Sequence, residues 1–188
     1  MSGLFFSVFA EWVTLNFTWD DSHSYSEYYS SNKYIPKNCL LAGINVDITG
    51  DIYVTVPRWR NGVPATLNRL SLSTKYGSSD SVVSLTPFPS WDMQREGVSG
   101  DLQNVQSMTI DSKRRMWVIE VGRRNFFNIN PKTVVNDPAG LWIIDMTTED
   151  IITKYSFPSS VVSYDNSFLN DVVVDDTRDI AYLTDAWV

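Results

Sequence analysis

Five side chains in the second half of the chain have the types that hold a small cationic ligand: Asn104, Gln106, Phe168, Asn170 and Asp171. The Asp171 carboxylate, with carboxamides around it, can accept hydrogen bonds from an ammonium group, and the Phe168 ring can add cation–π attraction. Asn and Asp just ahead of an apolar run also serve simply to satisfy backbone groups, so both readings stand at these positions. Oxygen-rich sets of this kind also suit Ca²⁺ or Mg²⁺. A metal site needs several converging ligands, however, and Asn104 and Gln106 offer carboxamides in place of carboxylates. Cys39 and His23 are the only residues of their types. An internal disulfide, a cysteine-based metal cluster and a His-rich site are thereby excluded, and one candidate remains for a triad base. No catalytic residue, metal site or cofactor is assigned.

These five residues belong to a chain that repeats itself. Gly43–Val56 (GINVDITGDIYVTV), Ser107–Glu120 (SMTIDSKRRMWVIE) and Asp171–Asp185 (DVVVDDTRDIAYLTD) share one grammar. An alternating apolar strand runs into an Asp, a short polar turn follows, and a second strand carries an aromatic residue. The Asp residues are Asp47, Asp111 and Asp175, and the aromatics are Tyr53, Trp117 and Tyr182. The period is about 64 residues. Alternation of Ile44, Val46 and Ile48, then of Ile52, Val54 and Val56, predicts a β-hairpin in each segment. Each Asp is read as a turn former through Asx-type hydrogen bonds, helped at the first turn by Gly50.

Two further strands are predicted in each repeat: Thr66–Leu72 with Val82–Thr86, and Gly140–Met146 with Ile151–Phe157. Phe-Pro-Ser closes both units, at 88–90 and 157–159, where a proline at a strand end is tolerated. Four strands per unit at a constant period is the signature of β-propeller blades. The chain then holds about two and a half blades. Propellers close with four to eight blades, so the expectation is a fragment, residues 11–188, whose ring needs a C-terminal half or a second chain. Alternation of Val13, Leu15, Phe17 and Trp19 predicts an edge strand, of the kind that closes a propeller's last blade. Ser22–Ser31, rich in Ser and Tyr, is expected to be a surface loop.

Composition agrees with an all-β chain. Seven Trp, nine Tyr and nine Phe among 188 residues favour half-buried pleated strands. The net charge of −7 is spread without a basic run, which argues against nucleic acid and acidic membrane surfaces as partners. No apolar run approaches membrane-spanning length. Met1–Ala10 reads as a truncated signal peptide, short and without Lys or Arg. Asn16-Phe17-Thr18 is the only glycosylation sequon, so Asn16 is the candidate acceptor.

Three stretches resemble the yellow and major royal jelly protein family. The first is Tyr34–Leu70, with TVPRW at 55–59 and GVPATL at 62–67. The second is Leu85–Gly122, with LTPFPSW and RMWVIEVG. The third is Ser167–Asp185, with SFLNDVVVD and AYLTD. The resemblance covers nearly the whole chain from Glu11-Trp12 onward. Relatives commonly carry two cysteines where this chain has Leu102 and about Ser112 or Lys113. Glu120 and Val121 stand where Asp and Ser are usual. The chain thus looks like a divergent member.

The resemblance implies a secreted six-bladed propeller, but it does not choose one activity. Its members include cuticle-pigmentation proteins, dopachrome-converting enzymes, nutritional proteins and salivary binders of biogenic amines. The expected function is binding of an amine or catechol derivative at the channel mouth, by the five residues named above. Ser107 and the loops starting at Arg58-Trp59 and Arg123-Arg124 would complete that mouth, with Trp59 packing between blades. Two alternatives remain. One is an enzyme, either a dopachrome-converting isomerase or a metal-dependent hydrolase, since Asn170-Asp171 before VVVD also resembles six-bladed lactonases. The other is a structural or nutritional protein without a small ligand.

Overall fold

The computed structural model describes residues 14–20, 23–74, 81–127, 133–135 and 137–186. Met1–Ala10, the candidate signal segment, and Val13 lie outside them. Almost all regular structure is antiparallel β. The first sheet runs β1 (Ile44–Val46), β2 (Ile52–Thr55), β3 (Leu67–Thr74) and β4 (Ser81–Pro87), each hydrogen-bonded to the next. In the second, β5 (Val105–Ile110) pairs with β6 (Arg115–Glu120). A two-stranded ribbon, β7 (Arg123–Arg124) with β8 (Val134–Val135), leaves this sheet before β9 (Gly140–Asp145) and β10 (Ile151–Ser156) complete it in the order β5-β6-β9-β10. A third hairpin joins β11 (Leu169–Asp175) to β12 (Ile180–Asp185). All the strands expected from the 64-residue repeat are present, with ends shifted by one or two residues.

Burial explains why the middle sheet is apolar on both faces. Met116, Val118, Trp142 and Ile144 point into a core shared with the first sheet, where they meet Tyr53, Leu67 and Phe88. Trp117 and Ile119 point the other way, against Leu169 and Val172 of the third hairpin. Successive side chains alternate between the two cores because a strand has a period of two. Residues 116–120 are therefore all buried, where a sheet with one wet face would show alternation.

The three Asp residues do form the turns. Asp47 Oδ2 accepts from Thr49, while the Gly50 N–H donates to the Asp47 carbonyl with Gly50 at φ +90°. Asp175 Oδ1 accepts from the N–H and hydroxyl of Thr177. Asp111 accepts from the backbone N–H groups of Lys113 and Arg115 and from the indole of Trp117 at 2.8 Å. Successive turns are also tied to each other. Arg114 reaches back to Asp47 at 2.8 Å, and Arg115 pairs both with its own Asp111 and with Asp179 of the next hairpin.

Two expectations are corrected at the N-terminus. Residues 16–18 run alongside β4 of the first sheet, with Thr18 N–H donating to Leu85 O and Leu85 N–H to Asn16 O, both at 2.8 Å. Buried Leu15 and Phe17 pack there with Tyr34, Val54 and Val56. The apolar alternation is thus satisfied on the chain's own first sheet, not on a last one. The Ser/Tyr-rich segment is not simply a loop: Tyr25–Ser30 forms a short helix, α1, whose N-cap Ser24 accepts from the Glu27 N–H. Ser24 and Glu27 stand at the spacing of a capping box.

Candidate functional site

Inner strands β1, β5 and β11 lie side by side, and equivalent positions of successive repeats touch. Ser107 Oγ donates to Asp171 Oδ1 at 2.7 Å, and Gln106 Nε2 to Asn170 Oδ1 at 3.4 Å. Both pairs are 64 residues apart in sequence. One period earlier stand Ala42 and Gly43. A Cβ on Gly43 would lie 3.5 Å from Ser107 Cα and 3.0 Å from the Thr55 hydroxyl, so this wall is kept low by the absence of a side chain. Around these positions opens a hollow of about 410 Å³, lined mainly by polar groups that include Asn45, Gln106, Thr109, Asn170 and Asp171.

Asp171 is exposed, and its hydrogen bonds from Ser107 and from the Val172 N–H both fall on Oδ1. Its own N–H donates to the Thr184 hydroxyl. Gln106 is buried and held from behind, since its Oε1 accepts from the Trp59 indole at 2.9 Å. Trp59, on the loop after β2, thus bridges the first sheet to the second, the packing role expected of it. From Trp59 a row of rings continues through Phe127 and Phe126 to Phe168, with centroid separations of 5.6, 4.8 and 5.3 Å. Gln106, Asn170 and Asp171 are therefore brought together, with Phe168 on the flanking aromatic row and not on the hollow's own surface.

Asn104 is elsewhere. It is fully buried, and its amide donates to Arg123 O at 2.6 Å while its backbone N–H donates to Glu120. Its residue type suited a ligand, but its side chain points into the second sheet's own loop. The loop arginines are corrected likewise. Arg58 is enclosed, and its guanidinium donates to five carbonyls: Val63, Pro64, Gln94, Leu102 and Gln103, at 2.5–3.0 Å. Burial lowers its pKa, against the attraction of Glu96 and Glu120. Arg123 is buried too, donating to the carbonyls of Asp165 and Ser167, and Arg124 pairs with Glu96.

Glu120 is the buried counterpart of Arg58. Burial pushes its carboxyl from 4.5 up to about 7, even though backbone N–H groups of Gly122, Asn104 and Gln103 all donate to it. Together Arg58 and Glu120 tie the loops after β2, β4 and β6 into one block. Composition did not point to this pair; the signal available was the position of each charge at the end of an apolar strand.

Asn16, the candidate glycosylation site, is exposed. Among the described residues no group of three or more His, Cys, Asp or Glu side chains could hold a metal ion, and no helix is long and apolar enough to cross a membrane.

Residues 103–188 match the profile of the family described as major royal jelly protein. The chain is 30% identical to Protein yellow of Drosophila melanogaster over 169 residues, which are 87% of this chain and 29% of that protein. Protein yellow of Drosophila simulans gives the same figures, and that of Drosophila pseudoobscura pseudoobscura is 29% identical over 87% of this chain and 28% of its own. The chain spans under a third of the length of these curated relatives.

Proposed function

The chain belongs to the yellow and major royal jelly protein family, and on that premise we propose that it is part of a secreted six-bladed propeller that binds a small amine or catechol derivative at the mouth of its channel. The observation that carries this reading is the meeting of Asp171, Asn170 and Gln106 across neighbouring inner strands, next to a row of four aromatic rings. A protonated amine would hydrogen-bond to the carboxylate and amide oxygens, and a flat ring would lie towards the aromatic row. Glycosylation at exposed Asn16 fits the same secreted reading.

The construction of the sheets supports the propeller. Ile44, Met108 and Val172 occupy one position of the repeat. Met108 and Val172 are 3% exposed because the preceding sheet covers them, whereas Ile44 is 69% exposed. Tyr182 is likewise 53% exposed, where Tyr53 and Trp117 are buried. Both outer faces of the three-unit stack thus present surfaces that internal units bury, and further units of the same kind would complete the ring. Those units come from more of the same chain or from a second one.

The test is calorimetric titration of the protein with dopamine and tyramine, alongside an Asp171→Asn variant. Binding that Asp171→Asn weakens supports the reading. Absence of heat with both amines, or equal affinity in the variant, rejects it. The hydrolase alternative would need converging carboxylates, and Gln106 and Asn170 meet in the hollow as carboxamides.

A further inference from the structure

A second cleft, of about 350 Å³, opens away from the hollow, between the α1 region, the loop after β2, the β4–β5 connection and Arg124 of β7. Tyr28, Val63, Pro64 and Trp91 supply its apolar walls. Its charged lining is Lys33, Arg95 and Arg124 against Glu96 alone, in a chain whose net charge is −7. Arg95 is tied to Asp101 at 2.6 Å and Arg124 to Glu96, whereas the Lys33 ammonium lies 5.6 Å from the Tyr28 ring centroid.

A further positive charge stands behind the wall. Gln94 lines the cleft, and its carbonyl holds the enclosed Arg58 guanidinium at 2.5 Å. All five hydrogen-bond partners of Arg58 are neutral carbonyls. No carboxylate hydrogen-bonds to it; Glu96 and Glu120 attract it through space only, and its charge adds to the potential in the cleft. Lys33, Arg95, Arg124 and Arg58 thus stand against Glu96, Asp101 and Glu120, the last pushed towards its neutral form by burial. A cavity of this size with apolar walls and a few convergent polar groups has the make-up of a small-molecule site, and its charge selects an anion.

We propose that this cleft is a second ligand site, which takes a small aromatic acid. The ring lies against the wall formed by the touching Tyr28 and Trp91 rings, whose centroids are 5.7 Å apart, and the carboxylate or phosphate group turns towards Lys33 and Arg124. Its charge preference is opposite to that of the hollow, so the two sites can be told apart by ligand and by variant.

The experiment is calorimetric titration with phenyl phosphate, benzoate, inorganic phosphate and benzylamine. Phenyl phosphate and benzoate are expected to bind, inorganic phosphate at least tenfold more weakly than phenyl phosphate, and benzylamine not at all. Lys33→Glu, at an exposed position, is expected to weaken phenyl phosphate about tenfold through reversal of a nearby charge. Glu96→Gln is expected to tighten it about threefold by removing the one repelling carboxylate of the lining. Asp171→Asn leaves it unchanged. Equal binding of benzylamine, equal binding of inorganic phosphate, no binding of phenyl phosphate at millimolar concentration, or no response to either cleft variant would each overturn the proposal. Circular dichroism of both variants keeps a loss of binding distinct from a loss of fold.

Discussion

Asp171 lines the hollow and takes both of its side-chain hydrogen bonds, from Ser107 and Val172, on one oxygen. Asparagine keeps its shape and removes its charge. The expected outcome is a loss of amine affinity of about tenfold, or ~1.4 kcal/mol, with an unchanged melting temperature. Arg58 predicts the reverse pattern. Arg58→Met leaves five enclosed carbonyls without their donor, and should cost ~3 kcal/mol or more of unfolding free energy in urea titrations. Glu120 adds a pH dependence. Its folded-state pKa of about 7 lies above the ordinary 4.5, so its contribution is fully present below pH 4.5 and is lost as pH rises through 7. Urea titrations across that window should show falling stability in the native protein and no such slope in Glu120→Gln, which will be less stable overall. That Asn170 and Asp171 stand beside Gln106 and Ser107 was readable because equivalent positions of successive repeats lie side by side. The inward turn of Asn104 and of the Arg58 side chain was not readable, because a sequence gives the side chain but not which way a loop turns it.

The hairpin turns are tied at each end by carboxylates. Burial would raise the pKa of Asp111, but hydrogen bonds from Trp117 and from Arg115 outweigh it and hold the carboxyl below its ordinary value. Asp47 behaves likewise, burial being overcome by Arg114 and Thr49, and Asp179 is lowered by Lys113 and Arg115. Groups with depressed pKa values stabilise above the ordinary carboxylate range, and that stability is lost as pH falls through their folded values. Acid unfolding should therefore begin below about pH 4. Asp111→Ala, which strips the Trp117 indole and two backbone N–H groups of their acceptor, should cost ~2–4 kcal/mol and remove part of that acid transition. The strands were readable because the period of two recurs in all three units, with an aromatic six, six and seven residues after the Asp. Helix α1 was missed although Ser24 and Glu27 carry a cap signal, because a six-residue helix has too few turns to show an apolar periodicity.

Across the whole molecule, the repeat explains the exposed faces as well as the buried ones. Ile44, Val46 and Ile48 are exposed on one outer side, and Val173, Ile180 and Tyr182 lie on the terminal hairpin at the other. Apolar clusters of this kind mark interaction surfaces. The 188-residue chain on its own should bind the dye ANS, and Ile44→Ser with Val46→Ser should cut that fluorescence while leaving the far-UV spectrum unchanged. Sheet order followed from the sequence because each unit builds its own four-stranded sheet. The docking of the N-terminal segment onto β4 did not, since alternation says that a strand has an apolar face but not which sheet receives it. The account stands most directly on where an amine sits, and a crystal structure of the protein soaked with dopamine would show it. The account predicts density in the hollow, with the ammonium about 3 Å from Asp171 and the catechol ring towards Phe126 and Phe168. An empty hollow, or dopamine bound only elsewhere, would contradict it.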